Sequence, residues 1–350
     1  MTGDGSLNLS VTDDNYGIYI QENSGVISSE TADITLTGTG GTGEDRNYGI
    51  YLHDNSDITS QGMGEISLTG TGGSGARFNN GIFADQNSAI AATTSSISLT
   101  GFGGSGSSAN KGVVLDSATV TSTTGAIAIE GQGSDNTTDR NNIGLQIGSN
   151  SRVESTSGAI TLEGQAGRGS DRENSGILVG ADAAIASVDG DISLTGTGNV
   201  NSTGIQNHGV LIQEGTISTR GKGNITLEGI SGQGSRGSGV QIDPGNVVDN
   251  NAITTTQGDI AIRGTSLLSN EELNNNGIEI NRQNDTDIGT AKITSTAGGN
   301  IAITGFGGGG TERNRGIFIS SQTELSTTGD GSIFLDGTAR GGTVEDNQGE

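Results

Sequence analysis

Two histidines, His53 and His208, and forty acidic side chains are the groups in this chain that could move protons or hold cations. The histidines stand about five repeat units apart and cannot cooperate, so each is expected as an exposed turn residue. Glycoside cleavage would need two carboxylates set across one bond, and forty of them supply accidental pairs without marking any. There is no tryptophan to serve as a sugar platform, and no cysteine for thiol chemistry, disulfides or zinc–thiolate sites. The residues therefore argue against an enzyme and against a resident cofactor.

Calcium is the cation such a surface would take. Gly40-Gly41-Thr42-Gly43-Glu44-Asp45 matches the opening of the calcium-binding nonapeptide repeat, but Arg46 and Asn47 stand where an apolar residue must follow. The equivalent loops, Gly72 to Arg77 and Gly103 to Ser108, carry no carboxylate. What remains is weak surface binding of Ca2+ by pairs such as Asp13-Asp14 and Asp285/Asp287. A formal net charge of −24 with 16 scattered Lys and Arg excludes a nucleic-acid partner. No run of about 18 apolar residues predicts membrane insertion by this segment.

The elements that must position any site come from a phrase that returns along the whole chain. Gly64-Glu65-Ile66-Ser67-Leu68-Thr69-Gly70 reads as Asp33-Ile34-Thr35-Leu36-Thr37-Gly38 earlier and as Asp191-Ile192-Ser193-Leu194-Thr195-Gly196 later. Its first aliphatic, from Leu7 to Ile333, recurs at gaps of 27, 32, 31, 30, 33, 32, 33, 35, 41 and 32 residues. A fixed period of this size means a stacked repeat. Each unit holds three short alternating runs: Ile50/Leu52, then Ile58, then Ile66/Leu68 in the best-written one. The first run recurs from Ile18/Ile20 to Ile317/Ile319, and the middle one from Ile27 to Leu325.

The pattern predicts an all-β chain, a right-handed parallel β-helix of about ten coils of roughly 32 residues with three short strands each. Residues 1–350 read as a single array, with 243–292 as its most irregular part. Both ends fall mid-repeat, so the chain is expected to be an excerpt of a longer protein.

Three columns of side chains stand out. A glycine begins each first strand, and two residues before it stands Asn15, Asn47, Asn79, Asn110, Asn142, Asn174, Asn207, Asn275, Asn314 or Asn347, with Gly237 as the break. Asn tolerates left-handed turns, and stacked amides bond one another, so this column is expected to be a structural ladder. The outward position of the first strand reads Tyr19, Tyr51, Phe83, Val114, Gln146, Leu178, Leu211, Gln241, Glu279 and Phe318, with Tyr16 and Tyr48 nearby. It is either an apolar contact stripe or a satellite core covered by the variable loops. The outward Thr and Ser of the third strand resemble the ladder of ice-binding solenoids, but Glu130, Glu163, Glu228 and Arg263 interrupt it, so it is expected to be a solvated face.

The Gly-x-Ile-x-Leu-x-Gly, Asn-x-Gly-Ile-x-Ile and Ser-x-Ile-x-Ser phrases resemble the β-strand repeats of bacterial exoproteins of the filamentous-haemagglutinin type, secreted by two-partner systems or as autotransporter-like passengers. The resemblance implies a right-handed β-helical fibre that is extracellular or at the cell surface, often adhesive. The expected function is a rod displaying stacked loops toward a cell-surface or matrix glycan or protein. The alternatives are a self-assembling fibre or sheath subunit and, of a different class, a polysaccharide-active β-helix enzyme.

Overall fold

Apolar residues alternate with polar ones over runs of three to six residues, and Gly, Asn and Ser interrupt them, so each unit has strands to form and corners to turn. A computed structural model of the chain describes residues 2–4, 13–28, 30–201, 204–247, 250–267, 274–280, 289–310, 312–320 and 322–340. It is all-β, with no helix among these residues, and winds three parallel sheets into a solenoid of about nine turns with about 32 residues each. One coil contains a first strand at Ile50–Leu52, a middle strand at Asp57–Ser60 and a third at Ile66–Thr71. First strands form a ten-stranded sheet, middle strands another of ten, and third strands one of eleven. Ten first strands are separated by nine steps, hence about nine turns rather than ten.

Each residue type stacks on its own kind. Ile50 pairs with Ile82, Ile58 with Ile90 and Ile66 with Ile97. These side chains are at most 1% exposed, and one cluster of such residues runs the length of the rod. Because the strands pair in parallel between coils, their backbone groups are satisfied there and the inward aliphatics meet in layers.

Two glycine columns close each coil. A Cβ on Gly70 would lie 2.7 Å from Cγ1 of Ile82, and one on Gly81 would lie 2.7 Å from the carbonyl oxygens of Gly70 and Gly112. The end of the third strand and the start of a first strand thus touch backbone to backbone, which only glycine permits.

Two readings change. In the middle strand Gly25–Ser28, Val26 pairs with Ile58 and packs on the core, while Ile27 is 64% exposed. Two adjacent aliphatics left the face ambiguous, and a slip of one residue reverses it. Leu7 lies outside the described residues; the strand that pairs with Ile34–Thr39 is Thr2–Asp4, with Thr2 opposite Thr37. Within 243–292 the core holds its register, Ile253 opposite Ile293. The irregularity is a register shift between Asn250 and Ile253.

Candidate functional site

Outward side chains of the third strand alternate with buried ones and meet solvent, as in Ile34–Thr39, whereas Ile50–Leu52 is buried at all three positions. The difference lies in the residue just before each corner glycine. Tyr48, Asn80, Ile143, Ser175, His208 and Asn276 occupy this place and are at most 4% exposed. They form a second column beside the outward residues of the first strand, so the outer face of this sheet carries a packed layer of its own.

In the first three coils that layer is aromatic. Tyr16 stacks on Tyr48 at 5.3 Å and 12°, Tyr19 on Tyr51 at 5.1 Å and 9°, and Tyr51 on Phe83 at 5.2 Å and 1°. Tyr48 meets Phe83 edge-on at 5.2 Å and 73°. Coil spacing brings equivalent rings to stacking distance. Faces are therefore spent on one another along the rod, and the outer surface is offered ring edges rather than flat platforms. Of the contact stripe, Tyr51 and Val114 are buried, Phe83, Leu178, Leu211 and Phe318 are half-buried, and Tyr19 is 41% exposed.

Both histidines belong to this layer rather than to free turns. His53 is half-buried; its Nδ1 lies 2.7 Å from Oδ1 of Asp85 and 2.8 Å from the Tyr51 hydroxyl, which itself donates to Oδ2 of Asp85 at 3.1 Å. His208 is 2% exposed, and the Ser238 backbone N–H donates to its Nδ1 at 3.1 Å. Their exposure could not be judged from composition, because the layer that covers them is assembled from residues about 32 apart. The legible signal was the aromatic opening of the pre-glycine column, Tyr16 and Tyr48.

All four tyrosines of the chain stand in this cluster. Burial raises the hydroxyls of Tyr16, Tyr48 and Tyr51, with Asp14 adding to it at Tyr16 and Asp85 at Tyr51. The folded state thus holds these protons more tightly than the unfolded chain does. The stabilisation is fully present below about pH 10, the ordinary tyrosine range, and is lost as pH rises through the raised values. At pH 10.5, where free tyrosine is about three-quarters ionised, the native chain should show little phenolate absorbance near 295 nm, and urea at that pH should release it. Ordinary titration of the folded chain would contradict the packing described.

From the fourth to the eighth coil the layer opens into a groove of about 610 Å3. Its floor is Ile143, Leu178 and Leu211, and amides of Asn141, Gln146, Gln206, Gln213 and Gln241 line it with Lys111, Arg236, Glu173 and Asp243. Lys111 Nζ donates to Oε1 of Gln146 at 2.5 Å and makes no ion pair among the described residues. Burial pushes its ammonium down to about 8, although Asp116 and Glu173 pull the other way. Gln241 is 3% exposed, and its Oε1 has no hydrogen-bond partner. One coil further, Glu279 is 4% exposed and accepts from Ser238 Oγ at 2.9 Å and Asn276 Nδ2 at 3.3 Å. Such a groove can hold a ligand through its side chains.

The Asn column borders the same face. Asn15 donates its side-chain N–H to Oδ1 of Asn47 at 2.9 Å, Asn47 to Asn79 at 2.8 Å, Asn79 to Asn110 at 2.9 Å and Asn142 to Asn174 at 3.1 Å. The backbone N–H of Asn174 reaches Oδ1 of Asn207 at 2.9 Å, and that of Asn275 reaches Asn314 at 3.2 Å. All nine described members are at most 9% exposed. The left-handed residue is not the Asn itself but the one before it: Arg46, Phe78, Ala109 and Glu173 have φ of 57°, 58°, 55° and 63°. Each non-glycine there costs roughly 1 kcal/mol, and the buried amide beside it fixes the corner in spite of that cost.

Asp13 and Asp14 are bound to Arg46 at 3.2 and 2.7 Å, and Asp45 to Arg77 at 2.9 Å, so cations of the chain itself occupy these carboxylates. Asp285, Asp287 and Asn347 lie outside the described residues. Among the described residues no group of three or more His, Cys, Asp or Glu could hold a metal ion.

Comparison of the chain with family models, curated proteins and solved structures finds no match. The fold thus stands on its geometry, as a β-helix repeat protein.

Proposed function

We propose that the chain is a non-enzymatic display rod, extracellular or at a cell surface, that holds many weak contact groups at fixed intervals toward a glycan or protein of a surface or matrix. One observation supports this reading above the others: three sheets of ten or eleven strands pair in register along the rod, so equivalent groups repeat at coil spacing on every face. A stiff column of this kind raises the effective concentration of each further contact once the first has formed. The −24 charge keeps such rods apart in solution. The repeat phrases agree with membership of the filamentous-haemagglutinin type, and a surface fibre of that type would work in this way.

A fibre built from many copies is the second reading, favoured by the outward stripe of the first strand, where Tyr19 is 41% exposed and Phe83, Leu178, Leu211 and Phe318 are half-buried. Electron microscopy of the purified chain over a hundredfold concentration range separates the two. Dispersed short rods that bind surfaces more tightly when clustered on beads are the expected result. Filaments that lengthen with concentration would replace display by assembly, and rods without any gain on clustering would remove the multivalent mechanism.

A further inference from the structure

We infer that the groove over the fourth to eighth coils is a binding site for a carboxylate-bearing saccharide chain, with Lys111 receiving the carboxylate; this rests on the display reading and names what one face displays. The first support is the distribution of polarity. The floor is apolar at Ile143, Leu178 and Leu211, while amides line the groove. A sugar ring has the complementary form, with an apolar C–H face and a rim of hydroxyls that both donate and accept, which is what an amide also does. A peptide is matched less well. Leu145–Ile147, Ile177–Val179 and Val210–Gln213 are each paired on both sides, so no backbone edge is left to read a main chain.

The second support is a pair of polar groups that the protein leaves incomplete. Lys111 is a half-buried cation with an amide for company and no carboxylate in ion-pair reach, an arrangement that costs free energy unless an anion completes it. Gln241, four coils away along the same groove, keeps a buried acceptor without a donor. A hydroxyl supplies that donor and a carboxylate supplies the anion. At about 4.8 Å per step the two ends lie roughly 20 Å apart along the rod, which calls for a chain rather than a monosaccharide. Arg236 adds a second cation to the groove, whereas Glu173, Asp243 and the nearby Asp116 disfavour polyanions of higher charge density.

The test is calorimetric titration of the intact chain with hexamers of galacturonate, glucuronate and mannuronate, their methyl esters, a neutral glucose hexamer and hexaglutamate. At least one uronate should bind, its ester and the neutral hexamer at least tenfold more weakly. Lys111→Gln should weaken the uronate about 10- to 100-fold, the range of a hydrogen bond to a charged group, with unchanged circular dichroism. The uronate affinity should hold from pH 7 to 8 and then fall about tenfold per unit, because the free ammonium is charged only below about 8. Asp116 and Glu173 are the carboxylates that act on Lys111, and Asp243, His208 and Arg236 are the other charged or titratable groups of the groove. Lys111→Arg, charged throughout, should bind without that fall. No binding by any uronate, equal binding of the esters, or equal binding of hexaglutamate would each overturn the inference. Dispersed rods that gain from clustering would keep the display reading even then.

Discussion

Gly144→Val should divide the unfolding of the rod into two transitions and remove more than about 4 kcal/mol of stability, the range reserved for lesions with no room to relax. A Cβ on Gly144 would lie 2.6 Å from the carbonyl oxygen of Gln165 and 2.7 Å from that of Gly131. Both are backbone atoms of strands held in the eleven-stranded sheet, Ile160–Gln165 and Ile127–Gln132, so neither can swing aside. The coil must open at its corner. Since each coil contacts mainly its neighbours, an opened coil in mid-array uncouples the two sides. Denaturant titration with hydrogen exchange would show coils before Gly144 and after it losing protection at different concentrations. A single transition at the wild-type midpoint would mean that the corner has slack the geometry does not show.

Asn174→Ala should cost about 2–4 kcal/mol, from groups that lose partners where water cannot reach them. Oδ1 of Asn174 accepts from the backbone N–H and the side-chain N–H of Asn142, at 2.9 and 3.1 Å. Its Nδ2 donates to the carbonyls of Asp171 at 2.9 Å and Gly169 at 3.3 Å. Alanine strands an N–H on one coil and carbonyls on another. Asn174→Asp separates the halves of this effect, because it keeps the acceptor but loses the donor and buries a charge. Its carboxyl pKa would be raised by burial, so the deficit of the Asp variant should shrink as pH falls toward the ordinary carboxylate range, while that of the Ala variant should not. Equal stability of the Ala variant and wild type would show that the column is incidental.

The core was readable because one period governs it. Ile58, Ile90, Val120, Val153, Ile185, Ile217, Ile253, Ile293 and Leu325 fall opposite one another as their spacing requires. Where alternation fails locally the reading fails with it, as at Val26 and Ile27. The outer layer was harder for a different reason. Whether Tyr51 is covered depends on the residue before the corner glycine, the place that His208 itself occupies in its own coil, and alternation does not supply the direction of that residue. Lys111 and Gln241 are polar residues on an outward strand face or beside it, and only the closed layer reveals that Lys111 is half-buried and Gln241 buried.

The Asn column has a direction. The side-chain N–H groups of Asn15, Asn47, Asn79 and Asn142 point to the Asn of the coil that follows in sequence, and the backbone N–H groups of Asn47, Asn79, Asn110, Asn142, Asn174 and Asn275 do the same. Any coil therefore shows amide oxygens to its predecessor and amide hydrogens to its successor. Elsewhere a coil edge offers both kinds of group, as Ile18 N–H donates on to Gly49 and His53 N–H back to Ile20, but at the Asn column a solenoid cut between coils has two unlike faces: one of lone pairs, which tolerate water or neglect, and one of N–H groups, which are rarely left orphaned. The rod is in this sense a vector. Coils can be added head to tail, the next one completing the last, whereas two like faces brought together would set oxygen against oxygen or hydrogen against hydrogen. A chain that emerges from its N-terminus first leaves hydrogens waiting at its growing face, and each new coil arrives with the acceptors that complete the one before.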